Sequence, residues 1–130
     1  IKVYDDVLSE IKTYFTDRIQ KCVEAGISKE KIIIDPGIGF GKSGENNINL
    51  LKNIKWLKTI HSNVCIGSSN KRYSSQLFKH IQTKEDLRIA NLATFATSTF
   101  YGVTYLRVHD VGLTKDTVLV INKAVELEQS

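Results

Sequence analysis

Apolar positions along the chain follow helical spacing in its first part. They recur at Val7, Ile11, Phe15, Ile19 and Val23. This spacing places the apolar side chains on one face, and it predicts an amphipathic helix from Asp6 to Val23. Gly26 is placed to end that helix, because glycine readily adopts the left-handed conformation found after a helix.

Further along the chain, apolar runs are too short for helices and rich in β-branched residues, which favours buried strands. These runs cover residues 32–35, 64–67 and 103–109. Short apolar strands that alternate with helices predict an α/β fold with a parallel sheet.

Helices are predicted between and after the strands. Amphipathic spacing favours a helix over residues 47–60, and its buried face is expected to comprise Leu50, Leu51, Ile54 and Leu57. A short helix is expected at 74–80, and the capping-box motif of Thr83 and Asp86 predicts a long helix to about residue 100. Thr114 is expected to cap a last helix that runs to about residue 128.

The sheet that these elements predict is incomplete. A sheet of three parallel strands leaves open edges, which invite aggregation, and the chain begins with Ile1 rather than methionine. We therefore expect residues 1–130 to be part of a larger barrel, with an upstream segment missing.

Composition excludes several classes of protein. The net charge of +4 comes from interspersed charges of both signs, so nucleic acid is not an expected partner. No apolar run is long enough to span a membrane, which is therefore not expected as a partner either. Cys22 and Cys65 lie in no metal-binding or redox spacing, which favours reduced thiols in a cytoplasmic protein.

The most informative segment follows the first predicted strand and reads Asp35-Pro-Gly-Ile-Gly-Phe-Gly-Lys42. Pro36 ends the strand, and the glycines allow the backbone to approach a ligand closely. The segment does not fit a P-loop, because the required first glycine falls on Pro36, and its glycine spacing does not fit a dinucleotide fingerprint. It indicates a binding loop of another kind.

Polar side chains are expected at the carboxyl ends of all the strands, which meet at one edge of a parallel sheet. The polar ones are Asp35, Lys42, Ser69, Asn70, Lys71, Arg72, Arg107, His109 and Asp110, and the apolar Phe40 is expected beside them. Asp35 could accept parallel N–H bonds from a planar heterocycle. Arg107 and His109 alternate along a strand and are expected to bind one anion. His61 and His80 are expected on helices away from this edge, exposed to solvent.

These segments carry a family resemblance. The Asp35–Lys42 segment, Gly67-x-Ser69-x-Lys71 and Arg107-Val-His-Asp-Val111, in this order, resemble the C-terminal half of dihydropteroate synthase. The resemblance implies a (β/α)8 TIM barrel, of which residues 1–130 would form the last three strand–helix units of a single pterin-binding domain.

The resemblance also implies an activity. The family condenses 6-hydroxymethyl-7,8-dihydropterin pyrophosphate with p-aminobenzoate, which gives dihydropteroate and pyrophosphate in folate biosynthesis. Mg²⁺ is the implied cofactor, with its ligand expected in the missing N-terminal half and none in this chain. A cytoplasmic homodimer and a target of sulfonamides are implied as well.

The resemblance assigns roles to residues of this sequence. Lys71, Arg107 and His109 are the implied catalytic residues. The implied substrate-binding residues are Asp35, Gly39, Phe40, Ser69, Lys71, Arg72, Arg107 and His109. Asp35 would hold the amino edge of the pterin and Lys71 its ring, while Arg107 would stack on the ring. Arg107 and His109 would bind the pyrophosphate, and Phe40 would line the aminobenzoate entrance.

The chain departs from the family pattern in one loop. Asn70 replaces an arginine that is usual in the family, and Arg72 stands where serine is common, where it could pair with the aminobenzoate carboxylate. A pterin-dependent methyltransferase and a non-catalytic pterin-binding paralogue remain alternatives. The Arg107–His109 segment argues against the methyltransferase, because a methyl donor has no pyrophosphate to bind, whereas Asn70 is the feature that supports the paralogue.

Overall fold

The computed structural model describes residues 6–67 and 73–129, and helices dominate these ranges. In chain order the elements are α1 (Val7–Glu24), α2 (Gly44–Lys52), α3 (Ile54–Ile60), β1 (Cys65–Ile66), α4 (Tyr73–Leu77), α5 (Lys84–Phe100), β2 (Tyr105–Leu106) and α6 (Val111–Gln129). A short 3₁₀ turn lies at Lys29–Lys31. Among the described helices, none combines the length and the apolar character that crossing a membrane requires.

The strand segments pair in parallel, as the sequence predicts. Ile34 forms a parallel bridge with Val64, in which the backbone N–H of Cys65 donates to the Ile34 carbonyl at 2.8 Å. β1 then pairs in parallel with β2, with Cys65 opposite Tyr105. The spatial order therefore follows the order along the chain, and the carboxyl ends of all the segments meet at one edge.

The strands are shorter than predicted. The first one, expected over 32–35, is reduced to the single bridge at Ile34, and those expected over 64–67 and 103–109 are reduced to β1 and β2. The 3₁₀ turn ends just before the first segment, and Pro36, which has no N–H to donate, follows directly after it. Within the described residues each outer segment also has a paired neighbour on one side alone, so it lacks the second ladder of hydrogen bonds.

The core lies between this sheet and α1, α2 and α3. The predicted helix faces are confirmed, since the buried cluster includes Val7, Ile11 and Phe15 of α1 together with Leu50, Leu51, Ile54 and Leu57. Ile34, Val64 and Ile66 bury their side chains in the same cluster. At the end of α1 the prediction of burial is wrong for Val23, which is 40% exposed.

The helix expected over residues 47–60 is two helices. Asn53 ends α2 and begins α3, and its side-chain amide donates to the Asn49 carbonyl at 2.7 Å. α2 also begins earlier than predicted, because the Ser43 hydroxyl accepts from the Asn46 N–H at 3.1 Å and caps the helix at Gly44. Local side-chain bonds to the backbone thus divide a segment whose apolar pattern is continuous.

The helix caps give one confirmation and one correction. The capping box of Thr83 and Asp86 is present at the start of α5, as predicted. The assignment of Thr114 as a cap is wrong, because α6 begins at Val111. Asp110 accepts from the Leu113 N–H at 3.1 Å, and the buried Thr114 hydroxyl donates to the Asp110 carbonyl at 2.7 Å. The carboxylate of Asp110, which precedes α6, therefore caps the helix, whereas Thr114 lies inside it.

The predicted solvent exposure of His61 is wrong. This residue ends α3, is half-buried, and has its Nε2 2.6 Å from the Ile32 carbonyl oxygen. His80 is exposed, in a turn after α4 rather than on a helix. His61 therefore ties the end of α3 to the segment that leads into the first strand pair.

We expect the 130-residue polypeptide, produced by itself, to self-associate. Among residues 6–67 and 73–129, each outer strand segment is paired on one side alone, and Ile33 and Tyr105 are about half exposed there. Light scattering would measure the oligomers, and near-UV circular dichroism would report loosened aromatic packing. A compact monomer with a cooperative unfolding transition would contradict this expectation.

Candidate functional site

The loop after the first strand segment is shaped by glycines. Gly37, Gly39 and Gly41 have φ of 72°, 83° and 61°, which side-chain-bearing residues rarely adopt. Asp35 precedes them, and its Oδ1 accepts the N–H of Gly37 at 2.8 Å. The carboxylate is therefore fixed at the end of the strand by the loop that follows it.

Asn47 of α2 supports this loop by hydrogen bonding. The sequence had not identified it as a functional residue. Its side chain is fully buried. Its Oδ1 accepts the N–H of Gly39 at 2.8 Å, and its Nδ2 donates to the Ser43 carbonyl at 2.9 Å. The available signal was its position, since Asn47 lies on the same helix face as Leu50 and Leu51, where a polar residue needs a buried partner.

Lys42 closes the loop from its other end. Its Nζ donates to the Gly37 carbonyl at 3.0 Å and to the Phe40 carbonyl at 3.1 Å. Burial lowers the pKa of Lys42, while the nearby negative charge of Asp35 acts in the opposite direction. The ammonium group of Lys42 thus donates hydrogen bonds to the backbone of the loop. The sequence had predicted only that Lys42 lies among the charged residues at the strand ends.

The strand register decides which side chains share the open face of the sheet. Because Ile34 pairs with Val64 and Cys65 with Tyr105, Asp35 lies in one row with Cys65 and Tyr105. Arg107 follows β2 directly and its N–H donates to the Ile66 carbonyl at 2.9 Å, and its ion pair with Asp35 places its side chain on the same face. The opposite face carries Ile34, Val64 and Ile66, which are buried in the core.

Arg107 reaches across this face to Asp35. Its Nη1 lies 2.7 Å from Asp35 Oδ2, and the guanidinium lies directly above Gly67. A Cβ on Gly67 would stand 2.6 Å from Arg107 Nη2, so a side chain there would displace the guanidinium. The hydrogen bond and the charge of Asp35 both raise the pKa of Arg107. Sequence reasoning brought both residues to this edge, but it did not predict that they pair.

The half-buried thiol of Cys65 lies beside this pair. Cys22 and Cys65 are both free, as predicted. Burial raises the pKa of Cys65, and Asp35 acts in the same direction, whereas Arg107 lowers it. The neutral thiol therefore forms part of the surface next to the charged pair.

Asp35 and His109 line separate cavities. Asp35 opens on a cavity of about 340 Å³ whose walls include Tyr14, Pro36 and Lys42. His109 lines a cavity of about 600 Å³ between α5 and α6, with Arg88 among its neighbours. The expected strand alternation of Arg107 and His109 is wrong, because β2 ends at Leu106. That both bind one anion remains a prediction.

The other predicted site residues are only partly described. Gly39 lies in the loop that Asn47 supports, and Phe40 exposes 55% of its surface at the tip of the same loop. Ser69, Asn70, Lys71 and Arg72 lie outside the described residues.

The described residues do not form a metal site. Within residues 6–67 and 73–129, no group of at least three His, Cys, Asp or Glu side chains could hold a metal ion. We therefore assign Mg²⁺ no ligand among these residues and no step. What the arrangement can bind is a ligand with N–H donors for Asp35 and an anionic group for Arg107.

Known proteins resemble the chain over nearly its whole length. Residues 2–109 match the family model described as pterin binding enzyme. The dihydropteroate synthase of Escherichia coli K12 is 33% identical over 127 residues, which cover 98% of this chain and 44% of that protein.

Solved structures agree. Yersinia pestis dihydropteroate synthase with a sulfonamide drug complex superposes with a TM-score of 0.88 at 30% identity, over 96% of this chain and 45% of that one. The Xanthomonas albilineans enzyme in complex with 7,8-dihydropteroate gives a TM-score of 0.86 at 35% identity, over 95% and 48%. The chain thus spans about half the length of its relatives, and its fold is part of a (β/α)8 barrel.

Replacing Asn47 by Ala should destabilise the protein by about 1–3 kcal/mol, because the Gly39 N–H would lose its buried acceptor. Chemical denaturation of the protein at its full natural length would measure the change in the free energy of unfolding. Asn122→Ala, at an exposed position of α6, is the matched control and should have little effect. Equal losses for the two variants would contradict a specific role of Asn47 in supporting the loop.

Proposed function

The chain belongs to the pterin-binding enzyme family, and from this premise we propose that it acts as part of a dihydropteroate synthase. The enzyme would condense 6-hydroxymethyl-7,8-dihydropterin pyrophosphate with p-aminobenzoate. The observation that carries the proposal is the pairing of Asp35 and Arg107 at the strand ends, beside the glycine loop. A carboxylate acceptor and a guanidinium donor on one face match the amino edge and the pyrophosphate of that substrate.

In this proposal Asp35 orients the pterin. An ionised carboxylate offers acceptors to the exocyclic amino group and the neighbouring ring N–H. The Gly37 N–H holds the carboxylate in place, and Asn47 and Lys42 hold the loop. Because these contacts are made before the ligand arrives, binding would require little reorganisation of the loop.

Arg107 would stabilise the departing pyrophosphate. The bond between the pterin methylene carbon and the pyrophosphate oxygen breaks, and a bond from that carbon to the aminobenzoate nitrogen forms. The amine gives up a proton, and the negative charge stays on the pyrophosphate. Positioning and anion stabilisation therefore carry the reaction, without a covalent intermediate on the protein.

The remaining roles follow from the family pattern and are proposals as well. Lys71 would bond the pterin ring, His109 would add a contact to the pyrophosphate, and Phe40 would border the aminobenzoate entrance. Ser69 would lie in the adjoining loop, and Arg72 would pair with the aminobenzoate carboxylate. The exposure of Phe40 at the loop tip supports its role at an entrance.

The cofactor, assembly and location complete the proposal. Mg²⁺ would accompany the pyrophosphate, with its ligand in the N-terminal half of the enzyme, and the enzyme would be a cytoplasmic homodimer. We also expect the 130-residue polypeptide to be inactive by itself, since it spans about half the length of the relatives.

At its full natural length, the protein should form dihydropteroate from the two substrates, and Asp35→Asn should weaken pterin binding at least about tenfold. The amide presents one acceptor and a donor where the carboxylate presents acceptors only, so one N–H of the pterin would lose its partner. Product formation would be followed by chromatography and pterin affinity by calorimetry.

Asp17→Asn is the matched control, because it makes the same chemical change in an exposed ion pair of α1. It should leave activity and pterin affinity unchanged. Unaltered pterin binding by Asp35→Asn would show that Asp35 is not a pterin-binding residue. Pterin binding without turnover by the unmodified protein would instead favour the non-catalytic paralogue.

A further inference from the structure

Asp35 already has partners within the chain for both carboxylate oxygens. Oδ1 accepts the Gly37 N–H at 2.8 Å, and Oδ2 accepts from Arg107 Nη1 at 2.7 Å. A heterocycle that presents two parallel N–H groups needs an acceptor position on each oxygen, and Arg107 takes one of the positions on Oδ2 from above Gly67. A ligand that approaches Asp35 across this face therefore competes with the guanidinium for Oδ2.

The strand geometry favours a ligand that can bind both members of the ion pair in this competition. Arg107 spans the width of β1, and it can do so because Gly67 has no side chain beneath the guanidinium. If the guanidinium leaves Asp35, it loses a charge-assisted hydrogen bond, and an anion placed nearby would replace that bond. A ligand that carries both an N–H edge and an anion supplies a partner to each member of the pair.

We infer that the Arg107–Asp35 ion pair determines specificity, by favouring a heterocycle that carries an anionic group over the same heterocycle without one. The inference rests on the proposed function and deepens it. The pair would select the pyrophosphate ester over the unesterified pterin alcohol at the step of binding. Arg107 would thus act on pterin recognition through Asp35, in addition to any contact of its own with the ligand.

The inference predicts a measurable coupling between separate ligands. Inorganic pyrophosphate should draw Arg107 away from Asp35 and tighten binding of 6-hydroxymethylpterin by about two- to fivefold, the range typical of partly exposed ion pairs. Reciprocally, the pterin should tighten pyrophosphate binding by the same factor. Calorimetric titrations of the full-length protein with each ligand, alone and with the other at saturation, would measure both factors.

Variants separate this coupling from direct contacts. Arg107→Ala should reduce both factors to about one, whatever its effect on either ligand alone, because no ion pair is left to break. Gly67→Ala keeps the charge but places a Cβ where the guanidinium lies, so it should also reduce the coupling while pyrophosphate still binds. Arg107→Lys should retain part of the coupling that Arg107→Ala loses, which would show that the site tolerates substitution. Lys21→Ala, which removes a cation from an exposed ion pair of α1, is the control and should keep the full coupling.

The outcomes distinguish this inference from the proposed function. Coupling in the unmodified protein that disappears in Arg107→Ala and weakens in Gly67→Ala would support the inference. If the protein forms dihydropteroate but shows no coupling, or if Arg107→Ala retains it, the inference is wrong and the proposed function stands. If neither pterin binding nor turnover is found, the proposed function fails, and the inference fails with it.

Discussion

The parallel pairing of Ile34 with Val64 determines on which face of the sheet Asp35 lies. It is a single bridge, yet a shift of one residue would move Asp35 to the core face, because side chains alternate along a strand. With the observed register, Asp35 shares the open face with Cys65, Tyr105 and Arg107. The apolar side of the same bridge explains why the register is held, since Ile34 and Val64 are both buried in the core.

The loop that presents Asp35 is held by buried polar groups in addition to the fully buried side chain of Ile38. Its glycines have φ values that leave the backbone N–H and carbonyl groups without regular partners. Asn47 and Lys42 supply those partners from α2 and from the end of the loop. Burying an ammonium group is unfavourable, and the lowered pKa of Lys42 records this. The position of Asp35 thus depends on side chains that need never touch a ligand.

The sequence predicted the order of elements well and their limits less well. Apolar spacing identified the buried faces of α1, α2 and α3, because burial follows directly from periodicity. It failed where local bonds compete with the pattern, as at Asn53, which splits a helix, and at Asp110, which caps α6 in place of Thr114. Strand lengths were overestimated because they depend on neighbours in space, which the pattern of a single run does not specify.

The candidate site shows the same division. Asp35 and Arg107 were predicted from their positions toward the carboxyl ends of the strands expected over 32–35 and 103–109, since strand ends meet at one edge of a parallel sheet. Their contact could not be predicted, because it depends on strand register and on the space above Gly67. Asn47 was missed because its place on an apolar helix face indicates that it needs a buried partner but does not specify which group that partner is.

The unequal burial of the ion pair decides which partner would move when a ligand binds. Asp35 exposes 27% of its side chain and is bound to the loop, whereas Arg107 exposes 60% of a long side chain at the end of β2. Moving the arginine requires rotation about side-chain bonds, whereas moving Asp35 would break the hydrogen bond to Gly37 and disturb the loop. The rigid carboxylate is therefore suited to recognise a ring of fixed shape. In the proposed reaction, the exposed guanidinium would be suited to follow the pyrophosphate as its bond to carbon breaks.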